Sequence, residues 1–149
     1  MLAVIQRVSE AQLSIDGKIH ASINQGFVVL LGIHESDDAS DVEYLAKKII
    51  GLRIFSDEAD KMNLDIAALG GEILLVSQFT LFAQTKKGNR PSFIEAARPE
   101  IANPLYESMI KSLTEKLGKT IQTGIFGANM QVQLCNDGPV TIIIDSKNP

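Results

Sequence analysis

Gly70-Gly71-Glu72-Ile73-Leu74-Leu75-Val76-Ser77-Gln78-Phe79-Thr80 opens on a glycine break, runs through four apolar residues, and turns polar at Ser77-Gln78. A short apolar run between such limits reads as a buried strand, Glu72 to Phe79, at the centre of a sheet. Its polar end marks where strand pairing gives out. The bland reading has Ser77 and Thr80 bonding their own backbone, as such residues do at strand ends. The functional reading has the strand opening there and presenting backbone N–H groups to a cleft. Each such donor facing a developing oxyanion is worth about 2.7–4 kcal/mol.

Outward from this strand the chain alternates sheet and helix. Upstream, Leu2 to Ile15 reads as a strand whose apolar parity changes, from Leu2, Val4 and Val8 to Ala11, Leu13 and Ile15, so a bulge is expected near Ser9. Asp16-Gly17 is a two-residue hairpin signal leading into Ile19–Ile23. Phe27 to Ile33 is apolar throughout and predicts burial on both faces. Ser40 and Glu43 have capping-box spacing, and Val42, Leu45, Ile49 and Leu52 recur at helical intervals towards Gly51. A strand or turn at Arg53–Phe55 and a helical turn near Leu64–Leu69 complete the first half.

Downstream, a helical region begins near Pro91. Asn103-Pro104 has the look of an N-cap followed by a first-turn proline, with Ile101, Leu105, Met109, Leu113 and Leu117 as core stripe and Gly118 as stop. Three closing strands are expected, at Thr120–Ile125, Ala128–Cys135 and Pro139–Asp145. In the middle one Met130, Val132 and Leu134 alternate with Gln131 and Gln133, one face core and the other wetter. Asp137-Gly138 reads as a tight hairpin turn, and Pro139, lacking an N–H, suits only the first residue of an edge strand. The sequence leaves the Gly138-Pro139 isomer open. The predicted fold class is α/β, a single domain over residues 1–149, with mixed β-sheet layers covered by two main helices (β/β/α-like) rather than a doubly wound unit.

Composition excludes several function classes. The 149 residues are 45% hydrophobic and 21% charged, as in ordinary globular domains, and the longest apolar runs are too short to cross a bilayer. Arg7 and Glu10 interrupt the first strand, and no apolar signal core with a cleavage site is read there. Cys135 is the single cysteine, so no internal disulfide is available and a cytoplasmic setting is expected. In a strand without an adjacent cation, Cys135 is expected to act as a small hydrophobe. A net charge of −4 argues against bulk coating of nucleic acid, leaving Lys86, Lys87 and Arg90 as one local basic cluster.

No phosphate loop, dinucleotide fingerprint, zinc spacing or HExxH occurs. His20 and His34 lie near strand ends and read as surface residues. No cofactor or metal is expected, and a Ser, Cys or His relay is not indicated. Thr80 has no general base near it in sequence, so positioning is favoured over nucleophilic attack.

Four segments in register, Ala3-Val4-Ile5-Gln6-Arg7-Val8, Ser77-Gln78-Phe79-Thr80, Arg90-Pro91-Ser92-Phe93 and Asn136-Asp137-Gly138-Pro139-Val140-Thr141, resemble the D-aminoacyl-tRNA deacylases over essentially the whole chain. The resemblance implies a homodimer that hydrolyses the ester between a D-amino acid and the 3′ end of tRNA. It implies that Ser77, Gln78, Phe79 and Thr80 line the adenosine and ester end of the pocket, with N–H groups around Gln78 to Thr80 facing the ester carbonyl. It further implies that Gly138 and Pro139, joined by a cis bond, enter the other subunit's site, where their carbonyls hold the substrate amino group and the loop collides with an L side chain. Arg7 is expected either to brace that loop or to form a strand-edge ion pair. Lys86, Lys87 and Arg90 are candidate contacts to the tRNA acceptor end.

Such a site needs placement, oxyanion stabilisation and a water, which the vicinal 2′-hydroxyl of the substrate can help to activate. The rival readings are a non-catalytic homodimeric nucleic-acid-binding module and a small-molecule deaminase or esterase with a subunit-interface pocket.

Overall fold

The computed structural model describes residues 1–148. Strands β1 (Leu2–Ile15), β2 (Lys18–Ile23), β3 (Gly26–Gly32), β6 (Glu72–Ser77) and β7 (Gln122–Thr123) lie in the order β2-β1-β3-β6-β7, and β8 (Gln131–Asp145) pairs with β1. A separate two-stranded ribbon joins β4 (Phe55–Ser56) to β5 (Met62–Leu64). The β1–β2 and β1–β3 pairings are antiparallel, whereas β3–β6 and β6–β7 are parallel. Parallel pairing needs a crossover, and helices α1 (Ala39–Ile50) and α3 (Pro99–Leu117) lie in those connections, with a short α2 (Ile66–Leu69) ahead of β6.

Both faces of the sheet are covered. On one, Ala3, Ile5, Phe27, Val29, Leu31, Ile73 and Leu75 pack with Val42, Leu45 and Ile49 of α1 and Tyr106, Met109 and Leu113 of α3. On the other, Val8, Ala11, Leu13, Val28, Leu74 and Val76 form a second core, with Met130, Val132 and Leu134 against it. Neighbours along β3 and β6 therefore alternate between two cores, which is why these strands carry continuous apolar runs. Each fully buried large side chain contributes about 1.5–3 kcal/mol.

β1 crosses from one core to the other. Its register against β8 slips between Gln6 and Val8 and again between Val8 and Glu10, matching the irregularity expected near Ser9. The slip lets Ala11 and Leu13 stay with Val8 in the second core, although parity would put them on opposite faces. The core residues before the slip are Ala3 and Ile5, not Leu2 and Val4, which are only half-buried. The Asp16-Gly17 turn has positive φ at both residues, 50° and 74°, as a hairpin matched to strand twist requires.

Several sequence expectations are corrected. Helix α1 is capped by Asp38 rather than Ser40: the Asp38 carboxylate accepts from Ser40 N–H at 2.7 Å, and the Asp38 N–H donates to Asp41 at 2.9 Å. The same three-residue spacing simply occurs two positions earlier. Helix α3 begins after Arg98 with Pro99 at its first position, so Pro104 lies inside it, on an exposed face. Its missing N–H frees only the exposed Glu100 carbonyl, which water can satisfy. The buried stripe becomes Ala102, Tyr106, Met109 and Leu113, with Ile101 44% exposed, because Tyr106 turns inward to donate its hydroxyl to the Leu75 carbonyl at 3.0 Å.

A further correction concerns Asp137-Gly138. It is no hairpin: Gln131–Asp145 continues as one strand along β1. Gln6 faces Thr141 and Val8 faces Asn136, so Asp137, Gly138, Pro139 and Val140 bulge out opposite Arg7 alone. The strand expected at Thr120–Ile125 shrinks to Gln122–Thr123, and Ala128 lies outside β8.

At the chain's start, the Met1 α-ammonium is buried against Asp37 at 2.6 Å and Ser146 Oγ at 2.8 Å. Asp41 accepts from Ser146 Oγ at 2.6 Å and Lys147 Nζ at 2.7 Å. Burial alone would raise the Asp41 pKa, but these bonds and the Asp38 N–H outweigh it and hold it at about 2.

Candidate functional site

The polar end of β6 is set by three backbone constraints. Gln78 N–H donates to the Leu31 carbonyl at 2.8 Å, extending the pairing to β3 one residue past the strand. The chain then bends into a 3-10 turn, Phe79–Phe82, laid across Gly32. A Cβ on Gly32 would sit 3.1 Å from the Leu81 Cβ and 3.2 Å from the Gln78 carbonyl, so only glycine lets the turn lie this close. Behind it, the Leu75 carbonyl accepts from both Gly124 N–H and the Tyr106 hydroxyl, each at 3.0 Å. Desolvation pushes the Tyr106 pKa up, keeping the hydroxyl protonated as a donor.

Among the described residues, no loop or cap hydrogen bond engages the N–H of Phe79 or Thr80. They open the turn, where backbone donors have no acceptor within the turn itself. The Gln78 N–H is committed to Leu31, so these two are the available donors of the segment. The Thr80 hydroxyl accepts from the Gln78 side-chain amide, and no carboxylate or imidazole bonds it among the described residues. That arrangement orients a hydroxyl but does not deprotonate it.

Beside this strand end lies a cleft of about 570 Å³, its walls including Ser77, Gln78, Phe79, Phe93, Phe126 and Met130. Its lining is mainly apolar, with a few polar groups from the β6 end, the usual make-up of a small-ligand pocket. Phe79 is 55% exposed and meets Phe93 edge-on, with ring centres 5.1 Å apart. Thr80 stands just outside the lining. Neither histidine lines it: His34 bonds Ser36 at 2.9 Å and leans on Phe82, and His20 is exposed on β2.

Lys86, Lys87 and Arg90 are exposed on a loop whose base is closed by two backbone bonds between Gln84 and Ser92, 2.8 and 3.0 Å. The loop leads in sequence to Phe93 of the cleft wall, and none of the three basic residues is among those lining the cleft.

Gly138 and Pro139 are exposed and do not line the cleft of their own chain. Their peptide bond is cis, and Gly138 has φ of 119°. Arg7 lies beneath them, 11% exposed, donating from Nε to the Asp137 carbonyl at 3.2 Å and from Nη1 to the Ile54 carbonyl at 2.6 Å. It also pairs with the Asp137 carboxylate at 3.3 Å. No side chain of the described residues donates to the carbonyls of Gly138 or Pro139.

The sequence reading missed Phe126, Met130 and Tyr106. Gly124 was the available signal for Met130: a Cβ there would fall 2.4 Å from the Met130 sulfur, so its absence lets Met130 close against this segment. Cys135, expected as a small hydrophobe, is exposed. It borders a second, polar depression of about 420 Å³ with Glu10 and Glu72.

The model of the family described as D-Tyr-tRNA(Tyr) deacylase matches residues 4–145. D-aminoacyl-tRNA deacylase of Cytophaga hutchinsonii is 64% identical over 148 residues, and that of Flavobacterium psychrophilum 60%, each covering 99% of both chains. Among solved structures, a protein named c-Myc DNA Unwinding Element Binding Protein superposes with a TM-score of 0.92 at 41% identity, covering 97% of this chain and 98% of that one. A probable eukaryotic D-amino acid tRNA deacylase shares the fold, with a TM-score of 0.82 at 15% identity and coverage of 96% and 97%. With its sheet, cleft and motif segments in place, the chain belongs to the D-Tyr-tRNA(Tyr) deacylase family.

Proposed function

We propose that this protein hydrolyses the ester linking a D-amino acid to the 3′ end of tRNA, working as a homodimer in the cytoplasm. The observation that carries the reading is the pair of N–H groups at Phe79 and Thr80 that no loop or cap hydrogen bond engages among the described residues, in a segment whose Ser77, Gln78 and Phe79 line an apolar cleft. An activated aminoacyl ester suits such a site. The ester carbonyl lies against the two N–H groups, the terminal adenosine packs by Phe79 and Phe93, and a water aided by the substrate's own 2′-hydroxyl attacks the carbonyl carbon. The ester C–O bond breaks, the 3′ oxygen takes a proton, and free amino acid and tRNA leave. Each oxyanion donor contributes about 2.7–4 kcal/mol to this step.

Chirality is sorted by Gly138 and Pro139 of a second copy, whose unengaged carbonyls receive the substrate ammonium while the loop blocks an L side chain. Support for a second copy comes from β8, which pairs only with β1 among the described residues and leaves Ile143 65% exposed. A long open edge of this kind is normally covered. Lys86, Lys87 and Arg90 then meet phosphates of the acceptor end.

The relative named for a DNA element favours a second reading, a nucleic-acid-binding module without turnover. One assay separates them: matched D- and L-tyrosyl-tRNA, side by side, with a metal chelator present. Release from the D ester alone is expected. Binding that weakens steeply with salt, with neither ester cleaved, supports the module instead. Cleavage of free D-amino acid esters as fast as of the tRNA ester favours a small-molecule esterase. Because exclusion of a side chain cannot reject glycine, glycyl-tRNA is expected to be hydrolysed measurably; its complete survival at enzyme levels that clear the D ester contradicts steric sorting.

A further inference from the structure

The Asp137–Val140 bulge cannot be held by strand pairing, since only Arg7 faces it across the ladder. Arg7 grips one side. On the opposite face of β1, where the neighbouring residue Gln6 must point, a second set of contacts spans the base of the bulge. The Gln6 side-chain amide meets the Asn136 amide at 2.9 Å and also bonds the Thr141 hydroxyl. The Asn136 amide NH2 that donates to Gln6 also reaches the Thr141 hydroxyl oxygen at 3.4 Å. Asn136 and Thr141 are the last paired residues on either side of the bulge, so bonds between them close its mouth.

We propose that Gln6, Asn136 and Thr141 form a clasp that fixes the reach of the Gly138-Pro139 loop, making them positioning residues for chiral discrimination. The inference rests on the function proposed above and deepens it. A loop pinned on one face by Arg7 alone could tilt about that contact. The clasp on the other face removes that freedom, and the steric test applied to an L side chain is only as sharp as the loop is still. Opening the clasp therefore admits L substrates before it abolishes D hydrolysis.

The test is the ratio of D to L rates on matched tyrosyl-tRNAs, which a general loss of folded protein does not move. Thr141→Val and Asn136→Ala are each expected to lower the ratio by about tenfold, the equivalent of one or two hydrogen bonds. Thr141→Ser, which keeps the oxygen, is expected to hold the ratio near wild type. Gln6→Ala repeats the test from β1 should Asn136→Ala not fold. A ratio within about twofold of wild type for both Thr141→Val and Gln6→Ala overturns the clasp and leaves the proposed function standing. A wild-type chain that cleaves neither ester overturns both.

Discussion

The end of β6 and the bulge in β8 are built on opposite principles. Ser77 to Phe82 is held by the fold's main core: Leu31 and Gly32 of β3 below, Tyr106 of α3 and Gly124 just after β7 behind. Asp137 to Val140 leaves the ladder and is held by polar side chains of β1. The first region can present N–H groups rigidly because packing decides where the backbone goes. The second can project exposed carbonyls because nothing packs over them, and it depends on a few hydrogen bonds for its shape. A site that stabilises charge on a reacting atom needs the first kind of support, and a loop that must reach away from its own domain needs the second.

That contrast is broken most severely at Arg7. Arg7→Ala removes donors to the Asp137 and Ile54 carbonyls and to the Asp137 carboxylate, a loss of about 1.5–3 kcal/mol per charged hydrogen bond. We expect D-ester turnover to fall about a hundredfold and the unfolding midpoint to drop by several degrees. Unchanged turnover, measured by single-turnover release, would remove Arg7 from the account.

Gly32→Ala probes the other region. Its Cβ needs the 3-10 turn to yield by a few tenths of an ångström, so we expect about a tenfold fall in the rate constant for cleavage with the D/L ratio intact. A changed ratio at constant rate would mean that the two regions are not separable.

Acid unfolding sharpens the comparison from outside both. The folded Asp41 pKa, about 2, lies below the ordinary carboxylate value of 3.8, so its contribution is complete above about pH 4 and is lost as pH falls towards 2. That contribution is about 2 kcal/mol. Asp41→Asn should flatten this limb of a denaturant–pH titration while leaving neutral-pH catalysis in place.

The smallest effect is expected at Thr80. Thr80→Ala should cost less than about tenfold, since its hydroxyl is oriented by Gln78 and not activated. An acyl group trapped on Thr80 in rapidly quenched reactions would make it a nucleophile.

The same contrast explains what could be read from sequence. Packing speaks through periodicity: the limits of β1 and the double burial of Phe27–Leu31 were legible because apolar parity records which face is covered. The Ser77-Gln78 boundary was legible because a buried run ends there. Polar support speaks through no period. Asp137-Gly138 has the composition of a hairpin, and only the long-range pairing of β8 with Gln6 and Val8 turns it into a bulge. Similarly, Pro104 reads as a helix start, and nothing local reveals that Pro99 already serves. Tyr106 was hidden because its partner, the Leu75 carbonyl, lies 31 residues away. The remaining wall of the cleft, Phe126 and Met130, is assembled by tertiary packing alone.

The claim at the centre is that one copy's loop completes another copy's cleft. Mixing two inactive variants, Gly138→Ala to spoil the loop and Phe79→Ala to spoil the cleft, tests it directly. If the claim holds, half of the randomly re-formed dimers carry one wholly intact site, and D-specific release returns to roughly a quarter of the wild-type level. No recovery at any mixing ratio, from dimers shown to have exchanged, would contradict it.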